Sequence, residues 1–380
     1  MIVVTWSWLA AGGTALAAVA MLYTIVAAIA LRVRPASWQA ELVAIPPATI
    51  LKPLCGVEQG LYESLRSFCE QRCTTFQIIF GVRDADDPAL GVVRRLQTEF
   101  PHLDLQGAIN PARHGTSAKV SNLVNMLPLA RYDFLVIADS DVRVTTDYLV
   151  RVVAPLVDES VGIVTCPYRG SPRPGLWSLL GSLFINEWFM PSVRVAALFG
   201  SRAFAFGSTI AMRRDTLARI GGLAALADQL PDDYRLGEQT RRLGLRTVLS
   251  ELEVETSVAE ASFSDLAKHE LRWLRTIRTV RPLGYAFAGV TCGVPVAVLG
   301  WLLAGGSRLG LAIVAITAIA RLMIDSAPRK TYSPLRQLWL VALNDLLLFA
   351  LWCWSFTTRQ VHWRRAQYRV ARDGTAYPFP

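Results

Sequence analysis

From residue 48 to about residue 251, short apolar runs alternate with longer stretches whose apolar residues return every three to four positions. "ATILKPL", "FQIIFGVRD", "YDFLVIADSD", "VGIVTCPY" and "LRTVLSE" read as strands, and "GLYESLRSFCEQ", "PALGVVRRLQTEF" and "SAKVSNLVNML" as helices. This alternation predicts an α/β domain with a mostly parallel sheet wrapped by helices. Ligands of such sheets gather at the carboxyl ends of the strands, where Lys52, Arg83-Asp84 and Asp139 fall.

The flanks are patterned differently. Residues 2–31 carry no charged side chain, and about 20 apolar residues suffice to cross a bilayer. The run has no basic start and exceeds the roughly 7–15 apolar residues of a cleavable signal. Arg32 and Arg34 follow it, which places the next domain on the cytoplasmic side. Segments 283–304, 309–324 and 335–354 are also apolar, interrupted by Arg321, Asn344 and Asp345. These polar residues fit pairing between helices or a place near a substrate path. The tail carries Arg359, Arg364, Arg365, Arg369 and Arg372 and is expected in the cytoplasm. Three full C-terminal spans would put it outside, so one segment is expected to lie in the interface or to re-enter.

The expected organisation is a membrane helix over 1–34, a linker over 35–47, a catalytic domain over 48–281, membrane helices over 282–357 and a basic tail over 358–380. Within the domain, segment 175–200 is rich in Leu, Phe and Trp but is interrupted by Asn186, Glu187 and Arg194. It reads as an amphipathic helix lying on the membrane, with a plain core helix as the alternative.

Composition narrows the function classes. The 380 residues are 52% hydrophobic with a net charge of +9, which suits an anionic membrane surface or a nucleotide phosphate. The basic residues are scattered and no nucleic-acid motif occurs, so nucleic acid is not expected as a partner. Six cysteines lack zinc-ligand spacing and read as free thiols of a reducing compartment.

Four blocks carry chemistry. Asp139-Ser140-Asp141 leaves a strand, and residues two apart in extended chain share a side. Such a pair either holds a hard divalent cation, Mg2+ or Mn2+, against phosphate oxygens, or forms a solvated turn or helix cap. "RDADDP" offers Asp84, Asp86 and Asp87 for capping or for a nucleotide at the sheet edge, and Lys52 and Lys119 are candidates to reach its base or diphosphate. "LPDDYRLGEQTRRLG" sets Asp232 and Asp233 ahead of a helix, one to cap it and one to serve as general base toward an attacking alcohol. "KHELRWLRTIR" spaces Arg272, Arg275 and Arg278 by three with Trp273 among them, a pattern for diphosphate and a stacked ring, or for lipid headgroups.

In order, these blocks resemble the membrane-bound, inverting GT-A glycosyltransferases. "ILKPLCGVEQGLYESLRSFCEQ", "GVRDADDPA", "SAKVSNLVNM", "ADSDVRV", "DDYRLGE" and "WRRAQYRVARDGTA" are similar to the ceramide glucosyltransferase family. "VTCPYRG", "LFINEWFMPS" and "HELRWLRTIR" draw the resemblance toward its bacterial hopanoid-biosynthesis branch. The resemblance implies a Rossmann-like GT-A domain facing the cytoplasm from the bacterial inner membrane. It implies transfer of N-acetylglucosamine from a UDP sugar to the terminal hydroxyl of bacteriohopanetetrol, with UDP-glucose and ceramide as the alternative. It also implies Asp233 as catalytic base, with Asp232 beside it. Lys52, Asp84, Asp87, Lys119, Asp139, Arg272 and Trp273 would bind the nucleotide sugar, and Asp139 and Asp141 the cation. His269 stands where the wider family has Gln or Arg, and Met190 where the animal ceramide enzymes have His.

Overall fold

The structure, a computed structural model, describes residues 2–33, 45–72, 75–202, 205–325, 338–358, 360–363, 366–371 and 374–378. Most of the expected linker, Cys73, and the tail residues Arg359, Arg364, Arg365 and Arg372 lie outside the described residues.

The chain opens with α1 (Ile2–Ala30). There follow β1 (Ala48–Pro53), α2 (Leu61–Cys69), β2 (Phe76–Val82), α3 (Ala89–Glu99), β3 (Asp104–Ile109), α4 (Ala118–Met126), β4 (Phe134–Ile137), β5 (Val142–Arg143), α5 (Tyr148–Val153), β6 (Val161–Thr165) and β7 (Tyr168–Pro172). Next come α6 (Leu176–Leu183), α7 (Met190–Leu198), β8 (Ile210–Arg213), α8 (Arg214–Arg219), α9 (Asp232–Arg242), β9 (Arg246–Leu249) and β10 (Val254–Val258). The last third holds α10 (Phe263–Val280), α11 (Pro282–Phe287), α12 (Gly293–Leu303), α13 (Arg308–Asp325), α14 (Leu338–Ser355), β11 (Gln360–Trp363), β12 (Ala366–Val370) and β13 (Ala376–Pro378).

These elements form two compact units. The sheet unit comprises Ala36–Arg173, Ser201–Ala259 and Tyr368–Pro380, and the helical unit Met1–Pro35, Pro174–Gly200 and Glu260–Gln367. The division departs from the expected boundaries at 175–200 and 260–281, which belong to the helical unit.

A seven-stranded sheet of order β3-β2-β1-β4-β8-β6-β9 is the frame of the sheet unit. Its pairings are parallel except at β8, which runs antiparallel to both β4 and β6. Leu51, Ile79, Val120, Leu123, Leu135 and Met212 share one buried cluster beneath α4, each fully buried side chain contributing about 1.5–3 kcal/mol. A second sheet, β5-β10-β7, receives the chain just after Asp141. The strands quoted above all form; β3, β8 and the small sheet are additions. β3 is half exposed and β8 has four residues, too little pattern to register as strands.

In the helical unit, α1 packs on α12 and α13. A Cβ on Gly300 would lie 2.5 Å from the carbonyl of Gly13, and one on Gly13 2.6 Å from that of Gly300, so the α1–α12 crossing requires both glycines. Residues Ser7–Ala30 form one helix long and apolar enough to cross a membrane. Pro282–Thr291 and Gly293–Leu303 form a pair bent by 84°, a broken span or a re-entrant loop.

Segment 175–200 departs from the amphipathic helix expected on the membrane surface. It is α6, a π-helical stretch over Phe184–Phe189, and α7. Leu180, Leu183, Phe184, Ile185, Glu187 and Met190 are all buried. Pro191 lacks the N–H that would return to residue 187, which favours a widened turn there. The buried Glu187 is neutralised by Arg321 at 3.0 Å, and Arg321 also pairs with Asp345 at 2.9 Å. This realises the pairing-between-helices reading of Arg321 and Asp345.

Candidate active site

The acids of β4's end and of α9 meet around one lysine. Lys119 lies in the first turn of α4, which Ser117 caps by accepting the Val120 N–H at 3.2 Å. Asn122, one turn on, donates to the Gly81 carbonyl at 2.7 Å and so ties α4 to the end of β2. This places Lys119 Nζ 2.5 Å from Asp139 Oδ1 and 3.9 Å from Asp232 Oδ2. Burial alone would lower the Lys119 pKa, but Asp139 and Asp232 outweigh it and hold the ammonium charged.

Asp233 faces the same spot. Its Oδ2 accepts the Gly207 N–H at 2.9 Å and its Oδ1 the Tyr234 N–H at 2.7 Å. A Cβ on Gly207 would lie 3.3 Å from Lys119 Nζ, 3.4 Å from Asp233 Oδ2 and 3.5 Å from Asp139 Oδ2. A side chain there would crowd all three groups, so Gly207 lines the site; in the sequence it is an unmarked glycine in a small-residue loop before a four-residue strand. Burial raises both α9 acids. Asp232 rises from 3.8 to about 6, with the charge of Asp233 pushing the same way and Lys119 opposing.

Asp141 turns toward the small sheet, where Thr256 Oγ1 donates to its Oδ2 at 2.6 Å. Thr256 is a second residue missed in the sequence; it sits unmarked in the strand "VETSV". Burial raises the Asp141 pKa and the charge of Asp139 raises it further, so the two carboxylates are close and electrostatically crowded. Crowded hard-oxygen donors fit a hard divalent cation. Among the described residues no group of three or more His, Cys, Asp or Glu converges on a metal position.

The other sequence candidates have surroundings of their own. Lys52 is corrected: it is wholly buried, lies 3.9 Å over the Phe68 ring and donates to the Asp139 backbone carbonyl. It holds the strand end from beneath, and burial lowers its pKa to about 7. Asp87 accepts the Gly56 N–H at 3.0 Å and the Ala89 N–H at 2.9 Å, capping α3 and pinning the loop after β1. Asp84 is exposed beside Arg83. Arg272, Trp273 and His269 lie on α10 of the helical unit. Trp273 packs against Phe189 and His269 with ring centroids 5.7 and 5.6 Å apart. His269 Nδ1 lies 2.6 Å from Glu260 Oε1.

Residues 12–376 match the pattern of Glycosyl transferase family 21. The chain belongs to this family. Its relatives by sequence include ceramide glucosyltransferases. Ceramide glucosyltransferase 3 of Caenorhabditis elegans is 24% identical over 254 residues, 64% of this chain and 54% of that protein. Ceramide glucosyltransferase of Komagataella phaffii is 35% identical over 120 residues, 30% of this chain and 24% of that protein. The chain thus spans about half or less of the length of these relatives. Among solved structures, the mannosyltransferase PcManGT from Pyrobaculum calidifontis, in complex with GDP-Man and Mn2+, matches with a TM-score of 0.57. It is 20% identical and covers 92% of this chain and 99% of that one, a likeness that establishes the GT-A fold.

Proposed function

We propose that this family 21 enzyme transfers glucose from UDP-glucose to the primary hydroxyl of ceramide or a ceramide-like membrane lipid. The observation that carries the reading is the convergence of Asp139, Asp232, Asp233 and Lys119 around Gly207. The names of the relatives support glucose and ceramide over the N-acetylglucosamine and bacteriohopanetetrol expected from the sequence.

In this reading Asp233 is the general base. Its carboxylate is fixed by two backbone N–H groups, and burial gives it a raised affinity for the proton of the lipid hydroxyl. As the proton moves to Asp233, the lipid oxygen forms its bond to the anomeric carbon. The bond from that carbon to the diphosphate breaks on the opposite face, and the electron pair leaves with UDP, which inverts the centre. Lys119 holds Asp139 and Asp232 in place and places positive charge next to the reacting groups. Asp139 and Asp141 would hold a divalent cation, consistent with the Mn2+ bound by PcManGT; when bound, such an ion offsets the charge of the departing diphosphate. We place the chain in a membrane through the Ser7–Ala30 helix, with the sheet unit in the cytoplasm where UDP sugars are made.

The test is purified full-length protein with UDP-glucose or UDP-N-acetylglucosamine, and ceramide or bacteriohopanetetrol, with products read by mass spectrometry. Glucosylceramide is expected. Product from bacteriohopanetetrol and N-acetylglucosamine alone would overturn the reading in favour of the hopanoid one.

A further inference from the structure

The C-terminal strands touch the segment that leads into the active-site acids. β12 and β13 pair antiparallel, Val370 opposite Ala376. The inner side of β13 is bonded to residues 228–230. The Gly374 carbonyl accepts the Leu230 N–H at 3.0 Å, the Ala376 N–H donates to the Asp228 carbonyl at 2.8 Å, and Gln229 and Thr375 form an antiparallel bridge. Asp232 and Asp233 begin two residues later.

The same segment is bonded on its other side to the loop that leads into α4 and Lys119. Asp228 Oδ1 accepts the Thr116 N–H at 2.8 Å, and the Ala227 carbonyl accepts the Ser117 N–H at 2.8 Å. Tyr368 on β12 closes the circuit, its hydroxyl donating to the Thr116 carbonyl at 3.4 Å. Gly374 has φ +85°, and a Cβ there would lie 3.0 Å from Gln229 Oε1 and 3.3 Å from Pro231 Cγ. The strand is thus seated by backbone geometry that glycine permits.

We propose that the β12–β13 hairpin is a positioning strap for the reaction: by adding a strand to residues 228–230, Gly374, Thr375 and Ala376 set the register between Lys119 on α4 and Asp232 and Asp233 on α9. The proposal rests on the reading of those residues as the transfer site. Residues 226–231 belong to no strand of the main sheet, so the hairpin supplies the backbone partners that Asp228 and Leu230 would otherwise seek from water. Freed from the strap, this segment would let the start of α9 drift, and a displacement of about 1 Å at a reacting group costs on the order of 10²-fold in rate. Gly374, Thr375 and Ala376 touch no substrate; they act through Asp233 and Lys119.

The test uses the full chain in detergent or nanodiscs. Ala376→Pro removes the N–H given to Asp228, Gly374→Val forces a side chain against Gln229 and Pro231, and Tyr377→Ala, at an exposed position on the same strand, is the control. Hydrogen exchange is read over residues 115–120 and 226–236 without substrate, and kcat and KM with UDP-glucose and ceramide. Both strap variants are expected to speed exchange in those two segments and leave β1, β2 and β4 protected. kcat is expected to fall about 10- to 100-fold with KM for UDP-glucose within about threefold, while the control matches wild type. Wild-type exchange, or wild-type kcat in a variant whose exchange has risen, would overturn the strap. So would loss of protection across the whole sheet in both variants, which would make the hairpin a general stabiliser. If both strap variants show the local exchange response but wild type never glucosylates ceramide, the proposed acceptor fails and the strap's structural role stands.

Discussion

Two strand ends of one sheet carry clustered acids, and the fold uses them in opposite ways. After β2, Asp87 spends both oxygens on nearby backbone N–H groups, while Asp84 and Asp86 stand in solvent. After β4, Asp139 faces Lys119 and shares its charge with Asp232 from α9, while Asp141 is buried against Thr256. An acid whose oxygens accept N–H groups of its own turn stabilises that turn. An acid crowded among other acids around one cation is held in a state that chemistry can use. Asp233, like Asp87, accepts two backbone N–H groups, so the comparison teaches that the two ends differ in the charges around them: Lys119 and neighbouring acids surround one end and are missing from the described partners of Asp87.

The largest expected break in this contrast is Asp233→Asn. It keeps the shape but removes the proton acceptor, and kcat is expected to fall roughly 10²–10⁴-fold, while Asp84→Asn stays within about twofold of wild type because its one ion pair, with Arg83, is long and solvent-exposed. Steady-state glucosylceramide formation measures both. Lys119→Ala comes next. It leaves Asp139 and Asp232 without their shared cation, so kcat is expected to fall on the order of 10²-fold. The acidic limb of its pH–rate profile should move to higher pH, since the cation that favoured the ionised acids is gone.

The pH dependence of wild type sharpens the same point. Asp232 and Asp233 titrate as neighbours, with Asp232 raised to about 6, and the base must be ionised to accept a proton. Burial raises the proton affinity of the base Asp233, so activity should fall on the acid side at a pH above the ordinary carboxylate range, and a profile flat down to pH about 4.5, where ordinary carboxylates titrate, would contradict the crowding. Stability runs the other way. Because the folded state holds the Asp232 proton up to about pH 6 and the unfolded chain releases it earlier, stability falls as pH rises across that window. Asp232→Asn should flatten this loss.

At the β2 end the expected effect is smaller and of another kind. Asp87→Ala should lower stability by about 1 kcal/mol, the typical cost of a lost cap, seen as a lower denaturation midpoint with kcat within about threefold. Smallest is Lys52→Met. The folded pKa of Lys52 is lowered to about 7 by burial, so the unfolded chain binds the proton more readily between there and the usual lysine value, and stability gains with rising pH in that window. The Met variant should show less of that gain.

The sequence carried the sheet, the order of its acidic blocks and the pairing of Arg321 with a neighbouring helix, because each is written in local periodicity or in a charge inside an apolar run. Asp139 and Asp233 were legible through their places at a strand end and a helix start. Gly207 and Thr256 were not, because a glycine before a short strand and a threonine within one have no local mark; only the folded sheet shows what they face. Lys52 misled for a related reason. A lysine after an apolar strand normally reaches solvent, but here Phe68 and the Asp139 carbonyl occupy its path. The burial of the middle of segment 175–200 was not legible because Asn186, Glu187 and Arg194 look like a polar face until Arg321, more than a hundred residues away, is seen to take Glu187.

The most direct measurement is single-turnover transfer from UDP-glucose to ceramide by wild type, Asp233→Asn and Asp87→Ala, each shown to be folded by its thermal midpoint. The account predicts that Asp233→Asn forms product at most about one hundredth as fast as wild type, while Asp87→Ala stays close to wild type despite a lower midpoint. Asp233→Asn at the wild-type rate, or Asp87→Ala as inactive as Asp233→Asn, would contradict the assignment of the transfer site to the acids gathered around Lys119.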